Sequence, residues 1–144
     1  MQLCSRKEHS RKEILDKIVS RGCGHAQAEE IVNFLVEHKF VDDHRYTAAF
    51  VKDKMRFNKW GRVKIAYMLR MQGIENDMIT DVFSETDDTE YLEILTGELQ
   101  KKLKSLKGNT YEIKGKLFRF ATSRGFEADI VNQAICEIRM KNEE

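Results

Sequence analysis

Apolar residues recur every three or four positions along most of the chain, which predicts amphipathic helices. Three segments of the same pattern each end in glycine: ILDKIVSRG at Gly22, IAYMLRMQG at Gly73 and LFRFATSRG at Gly125. In each segment, apolar residues eight and four positions before the glycine lie on one helix face. Because glycine readily adopts the left-handed conformation that follows a helix, each segment is predicted to be a helix that stops at its glycine.

A second apolar series follows each glycine at a matching offset. The three series, again at helical spacing, are Ala28, Ile31, Val32 and Leu35; Ile79, Val82 and Phe83; and Val131, Ala134, Ile135 and Ile138. The glycines themselves are 51 and 52 residues apart. These offsets indicate an internal repeat.

A third element of the repeat begins at a pair of aspartates. FVDDHRYTAAFV, from Phe40, is echoed by ETDDTEYLEIL, from Glu85, and both contain Asp-Asp-x-x-Tyr. Asp42 and Asp87 are predicted N-caps, because an aspartate side chain accepts hydrogen bonds from the free amides of a helix's first turn. The predicted supporting contacts are a Val41–Tyr46 hydrophobic staple, a capping-box-like pair of Asp87 with Glu90, and a Ser10–Glu13 capping box that opens the helix ending near Gly22. Tyr46, Ala49, Phe50, Tyr91 and Leu95 are predicted to face inward, and Tyr111, Phe118, Phe120 and Phe126 to pack within the third unit.

The pattern predicts an all-α protein: an elongated, curved array of three tandem three-helix repeats. The repeats are expected at residues 1–40, 41–84 and 85–144, with the first helix of repeat one truncated. The breaks NKWG at Asn58 and KGNT at Lys107 fall at equivalent places in repeats two and three. The sequence contains no proline, so little besides glycine interrupts the helical pattern.

Composition narrows the class of protein. The 144 residues include no 18-residue apolar run and no signal-peptide pattern, so we expect a soluble, cytoplasmic protein without a membrane partner. The three cysteines, without regular spacing, favour reduced thiols over a disulfide framework. No coiled-coil seam is visible, and a monomer is expected.

Charge is unevenly distributed although its net value is only +1. Residues 44–72 carry eight Lys or Arg against one acid, residues 75–98 carry nine acids and no Lys or Arg, and residues 100–124 carry eight Lys or Arg against one acid. This alternation favours surfaces for a charged partner, whereas any one block alone is equally typical of a solvated helix face.

The first basic block supplies the candidate partner- or DNA-binding residues. They are Arg45, Lys52, Lys54, Arg56, Lys59, Trp60, Arg62 and Lys64. Lys52, Arg56 and Lys59 would form one stripe if the helix extended that far. Trp60 has two interpretations, a seam between units or an exposed anchor that stacks on a base.

Catalytic and cofactor signals are weak. Cys4, His9, Cys23 and His25 contain a hint of zinc ligation, but the Cys-x-His spacing is unusual for a structural site. The aspartate pairs are accounted for as caps, and no glycine-rich phosphate loop is present. We expect no enzymatic activity, no catalytic residue, no metal and no cofactor.

The order and spacing of these motifs resemble the RecX family of bacterial recombinase regulators. The resemblance is carried by EHSRKEILDKIVSRG, by FVDDHRYTAAFVKDKMRFNKWGRVKIAYMLRMQGI and by FRFATSRGFEADIVNQAI. It implies a non-enzymatic protein that binds the groove of the RecA–single-stranded DNA filament. It further implies reduced filament extension, ATP hydrolysis, strand exchange and SOS-repressor cleavage, and hence a role in DNA repair.

Two other functions fit the residues. One is a helical-repeat protein that binds naked single- or double-stranded DNA through the basic blocks, although the acidic middle block would repel it. The other is a helical-repeat scaffold with an unrelated protein partner.

Overall fold

The structure, a computed structural model, describes residues 8–38 and 42–143, with side chains to residue 138. Within these ranges all regular structure is helical, which confirms the all-α class. The helices are α1 (Arg11–Ser20), α2 (His25–Glu37), α3 (Asp43–Arg56), α4 (Arg62–Met71), α5 (Asn76–Ser84), α6 (Asp88–Leu103), α7 (Thr110–Ser123) and α8 (Ala128–Glu143). The predicted truncated first helix, Val41 of the staple and Cys4 fall outside the described residues.

The predicted helix ends are largely confirmed. Ser10 and Glu13 form the reciprocal capping box of α1, and the Asp42 carboxylate accepts hydrogen bonds from the His44 and Arg45 amides. Gly22, Gly73 and Gly125 all have positive φ angles, as expected of residues that follow a helix end. The predicted Asp87–Glu90 pair is wrong: Asp87 caps α6 through the Thr89 amide, but the Glu90 carboxylate is bonded by Arg56 instead.

The helices pack in groups in chain order. Unit one denotes α1 and α2, unit two α3 to α5 and unit three α6 to α8, and the helices within each group contact one another. One continuous apolar core extends through units two and three, including Leu69, Val82 and Leu95. Unit one has a separate cluster of Ile14, Val32 and Leu35. Among the described residues, units two and three therefore share one apolar core, and the apolar cluster of unit one is separate from it.

The Asp-Asp-x-x-Tyr motifs join successive units. Asp43, the second aspartate of the first copy, accepts a hydrogen bond of 2.7 Å from the Arg11 amide at the start of α1. Burial and the neighbouring Glu13 carboxylate of α1 raise the pKa of Tyr46. In the second copy, Asp88 and Tyr91 both contact Arg62 at the start of α4. Each motif thus caps its own helix and receives the amino end of a helix from the preceding unit.

Backbone atoms also link α4 to the carboxyl end of α7. The Gly61 amide donates to the Arg124 carbonyl at 2.8 Å, and the Val63 amide donates to the Gly125 carbonyl at 2.9 Å. The two glycines make this approach possible: a Cβ atom on Gly61 would lie 2.3 Å from the Gly125 backbone. Free donors at the start of one helix therefore satisfy free acceptors at the end of another.

Arg62 and Tyr91 complete this seam between units two and three. The Arg62 amide donates to the Tyr91 hydroxyl at 3.0 Å, and that hydroxyl donates to Glu127. The Arg62 guanidinium lies 4.0 Å from the centroid of the Tyr91 ring and forms ion pairs with Asp88 and Glu127. Burial and the hydrogen bond to Glu127 raise the pKa of Tyr91.

Burial confirms most of the predicted core and corrects three positions. Tyr46, Tyr91, Leu95 and Phe126 are buried, and Phe50, Phe118 and Phe120 are partly buried. Tyr111 is 87% exposed, Ile31 is 41% exposed and Ala49 is exposed, because each lies on the outer face of its helix. Thr47 and Val51 are buried in α3, so its inner face is rotated from the one predicted.

Replacing Gly61 with alanine tests the backbone seam. We expect Gly61→Ala to lower the free energy of unfolding by at least about 2 kcal/mol, because the added methyl would overlap backbone atoms that cannot rotate away. Gly24→Ala is a matched control, since Gly24 is also an N-cap glycine with extended backbone but has no atom within 4 Å of an added Cβ. Urea unfolding of both variants measures the difference, and equal losses would contradict the steric argument.

Replacing Tyr91 with phenylalanine tests its buried hydroxyl. We expect Tyr91→Phe to cost about 1–3 kcal/mol at pH 7, because the Arg62 amide and Glu127 lose a buried partner. The pKa of Tyr91 is raised in the folded state. The stabilisation by its neutral hydroxyl is therefore complete below about pH 10, the pKa of the unfolded state, and is lost as the pH rises further. Urea unfolding from pH 7 to 11 should therefore show a flatter alkaline loss for Tyr91→Phe. The exposed Tyr67→Phe is the control, and an identical pH profile for wild type and Tyr91→Phe would refute the assignment.

Candidate functional site

The three predicted arginines are engaged in ion pairs within the chain. Arg45 lies 3.4 Å from the Glu8 carboxylate, and Arg56 binds Glu90 through two nitrogens at 2.6 and 3.2 Å. This hydrogen-bonded pairing lowers the pKa of Glu90. Arg62 belongs to the seam, with only 19% of its side chain exposed. These arginines hold units together, so their charges are largely balanced before a partner arrives.

Lys52 and Lys59 do not form the predicted stripe with Arg56. Helix α3 ends at Arg56, and Lys59 lies beyond it with a φ of 56°, in the left-handed region. The stripe is therefore wrong at Lys59, because the chain has left the helix axis. Lys52 is exposed on α3 and Lys59 is half-buried in the break, and neither forms an ion pair with a described residue.

Trp60 and two lysines form a compact cluster. The Lys54 and Lys64 ammonium nitrogens lie 5.2 and 4.4 Å from the centroid of the Trp60 ring, and Lys54 also lies 5.5 Å from that of Phe50. The Trp60 amide donates to the Lys54 carbonyl at 3.1 Å, which fixes the break against α3. Trp60 is partly buried against the apolar core, as the seam interpretation predicts, and also partly exposed between its lysines.

A second cluster of the same kind lies in unit three. The Lys102 nitrogen and the Arg124 guanidinium carbon lie 5.4 and 5.0 Å from the centroid of the Phe120 ring. All three side chains are partly exposed. Both cations belong to the basic block of residues 100–124, whereas Phe120 was predicted only to pack within unit three. The spacing of Phe120 and Arg124 by four helical positions was the available signal, whereas the approach of Lys102 from α6 depends on tertiary packing.

Helix α4 also presents an exposed apolar stripe that the sequence reading missed. Val63, Tyr67 and Met71 are 55%, 57% and 59% exposed and follow one another at four-residue spacing. Ile65 and Leu69 occupy the opposite, buried face. Because exposed apolar residues in a row are typical of surfaces that contact another macromolecule, the stripe is a second candidate surface.

Other kinds of site have little support in the described part of the chain. No group of three or more His, Cys, Asp or Glu there is arranged to hold a metal ion. Of the residues with a hint of zinc ligation, His9 lies near Glu13, and the Cys23 sulfur contacts Gln27. None of the described helices is long and apolar enough to cross a membrane.

Two family models match the chain in tandem. The model of the second three-helix domain of RecX matches residues 42–82, and that of the third three-helix domain matches residues 88–135. Together these matches cover more than half of the sequence.

Curated relatives and solved structures show the same similarity. Regulatory protein RecX of Clostridium botulinum (strain Eklund 17B / Type B) is 35% identical over 129 residues, covering 88% of this chain and 60% of the relative. Regulatory protein RecX of Chlorobium phaeobacteroides (strain BS1) is 28% identical, covering 96% of this chain and 89% of the relative. The chain thus spans about three fifths of the length of the clostridial relatives it matches.

The crystal structure of RecX from Lactobacillus salivarius superimposes with a TM-score of 0.87 at 22% identity, covering 96% of this chain and 91% of that one. This similarity supports the fold, and the two family models place its units in the order of the family. The resemblance stated from the sequence is confirmed: the chain belongs to the RecX family.

Proposed function

We propose that this protein regulates RecA by binding the RecA–single-stranded DNA filament in its groove and limiting filament extension. The observation that carries the proposal is the tandem match to two RecX domains, in a chain whose relatives are named regulatory proteins. The effect on ATP hydrolysis would follow from shorter filaments, so it requires no catalytic residue in this chain.

The tandem units suit a partner that repeats along an axis. Units that contact neighbouring protomers of a helical polymer bind as linked modules, so modest contacts combine into tight binding. The repeats expected at residues 1–40, 41–84 and 85–144 would supply these contacts, and the protein would act as a monomer. This arrangement supports filament binding over binding to an isolated recombinase subunit.

Two surfaces of unit two are proposed to meet the partner. Lys59 forms no ion pair with a described carboxylate and is suited to an acidic surface. Exposed Lys52 adds to this positive charge, although it also acts on the Glu90 carboxylate. The stripe of Val63, Tyr67 and Met71 supplies apolar area that water would leave on binding. A stripe of this kind favours a protein partner, because naked DNA offers little apolar surface to cover it.

ATP hydrolysis by the recombinase on single-stranded DNA tests the proposal. We expect this protein, titrated into the reaction, to inhibit hydrolysis at ratios well below one per recombinase subunit, because one molecule can stop the growth of a long filament. Electron microscopy of the same mixtures should show shorter filaments. Absence of any effect up to saturation would refute the regulatory function while leaving the fold unaffected.

The exposed tyrosines of α4 and α7 provide a matched pair of variants. We expect Tyr67→Ala to raise the concentration needed for half inhibition about tenfold or more, as for a central aromatic contact. Tyr111→Ala removes a tyrosine that is 87% exposed on α7 and should leave inhibition unchanged. Both are surface changes, so circular dichroism should show wild-type helicity. Equal effects of the two substitutions would remove the α4 stripe from the proposed interface.

A further inference from the structure

We propose that the two cation–aromatic clusters form one binding strip for the phosphodiester backbone of single-stranded DNA. The strip is defined as Lys54, Trp60, Lys64, Lys102, Phe120 and Arg124. It deepens the proposed function by naming the DNA strand as a direct ligand, although its binding is measurable without recombinase.

The two clusters adjoin at the seam between units two and three. Lys64 packs against Gly125 so closely that a Cβ atom on Gly125 would lie 2.3 Å from the Lys64 Cβ. Gly125 directly follows Arg124, whose carbonyl accepts the Gly61 amide bond at 2.8 Å. Trp60 directly precedes Gly61. One residue of each cluster, Trp60 or Arg124, therefore lies at the hydrogen bond between the Gly61 amide and the Arg124 carbonyl. A ligand that touches both clusters must cross the seam.

The four cations of the strip have no carboxylate partner among the described residues. Lys54 and Lys64 contact Trp60, and Lys102 and Arg124 contact Phe120, but none of them forms an ion pair there. This differs from Arg45, Arg56 and Arg62, which all face carboxylates. Contact with the rings restricts the four cations without neutralising them, which lowers the entropy lost when an anion binds.

The chemistry of the strip suits a phosphate backbone. Its three lysines bind phosphate as point charges, and the guanidinium of Arg124 can bind two phosphate oxygens at once. Arg56 and Arg62 of unit two are instead paired with carboxylates within the chain. The rings of Trp60 and Phe120 are covered by these cations, so the ligand is recognised by its charge, and the single strand is the DNA that the proposed filament presents.

The strip sets a limit on the salt dependence of binding. Neutralising four phosphates of a single strand gives a slope of log affinity against log salt no steeper than about −3. Such binding is modest and local, in contrast to a protein that coats naked DNA through both basic blocks. We expect the filament to supply the remaining affinity in the proposed function.

Fluorescence anisotropy with a labelled 20-nucleotide oligothymidylate tests the strip. Two double variants, Lys54→Gln with Lys64→Gln and Lys102→Gln with Arg124→Gln, should each weaken binding at least about fivefold and reduce the salt slope by about 1.4. The control, Lys104→Gln with Lys107→Gln, removes the same charge from exposed positions of unit three outside the strip and should change affinity less than twofold. Circular dichroism and Tm of every variant verify that the fold is retained.

Trp60 gives an independent readout because it is the single tryptophan of the chain. Its emission should change on addition of unlabelled oligothymidylate, and the Lys102→Gln/Arg124→Gln variant should need proportionately more oligonucleotide for the same change.

Full binding by either strip variant, an equal loss in the control, or an unresponsive Trp60 would overturn the proposal. If the strip variants bind oligothymidylate normally but lose inhibition of the recombinase, the strip faces an acidic protein surface instead. If they lose DNA binding while wild type has no effect on ATP hydrolysis, the strip stands and the regulatory function falls.

Discussion

The amino end of α4 is the point on which the arrangement of units two and three depends. The first-turn amides of a helix have no acceptor within that helix, so a buried helix start requires acceptors from elsewhere. Here three successive amides, those of Gly61, Arg62 and Val63, all donate to groups of unit three. Two of the acceptors are carbonyls at the end of α7, which need donors for the same reason. A shift of either unit would leave both sets of polar groups buried without partners, so the angle between the units is fixed by hydrogen-bond satisfaction as well as by the shared core.

The same device joins unit one, but with weaker support around it. The amide of Arg11 donates to Asp43, as that of Arg62 does to Tyr91 at the next joint. Around Arg62 the core continues from unit to unit, whereas unit one keeps its own small cluster. Polar contacts near the protein surface compete with water and contribute less than apolar burial. Among the described residues, units two and three therefore share one core, and unit one is attached to them mainly by polar contacts.

Local signals in the sequence predicted most of the helices and their ends, because caps, glycines and apolar periodicity act over a few residues. Ser10, Asp42 and the three helix-ending glycines were predicted on that basis and are confirmed. The candidate site was less accessible to sequence reasoning, because the role of a cation depends on what approaches it in space. Arg56 and Arg62 look alike in the sequence to Lys54 and Lys64, yet the arginines meet carboxylates from unit three and the lysines meet an indole ring. The proposed contact residues accordingly stay predictions, and the pairing of Lys102 with Phe120 could not be read from positions 18 residues apart.

The hydrogen bonds between α4 and the end of α7 join main-chain atoms only, and the side chains of Arg62 and Tyr91 add further contacts beside them. The carbonyl of Arg124 and the amide of Val63 would make the same bonds whatever side chains those positions carried. Outward-facing residues can therefore be exchanged without altering the angle between units two and three. The arrangement of the units and the recognition of a partner therefore depend on different atoms. The array can keep its shape while its surface side chains change together with those of the partner.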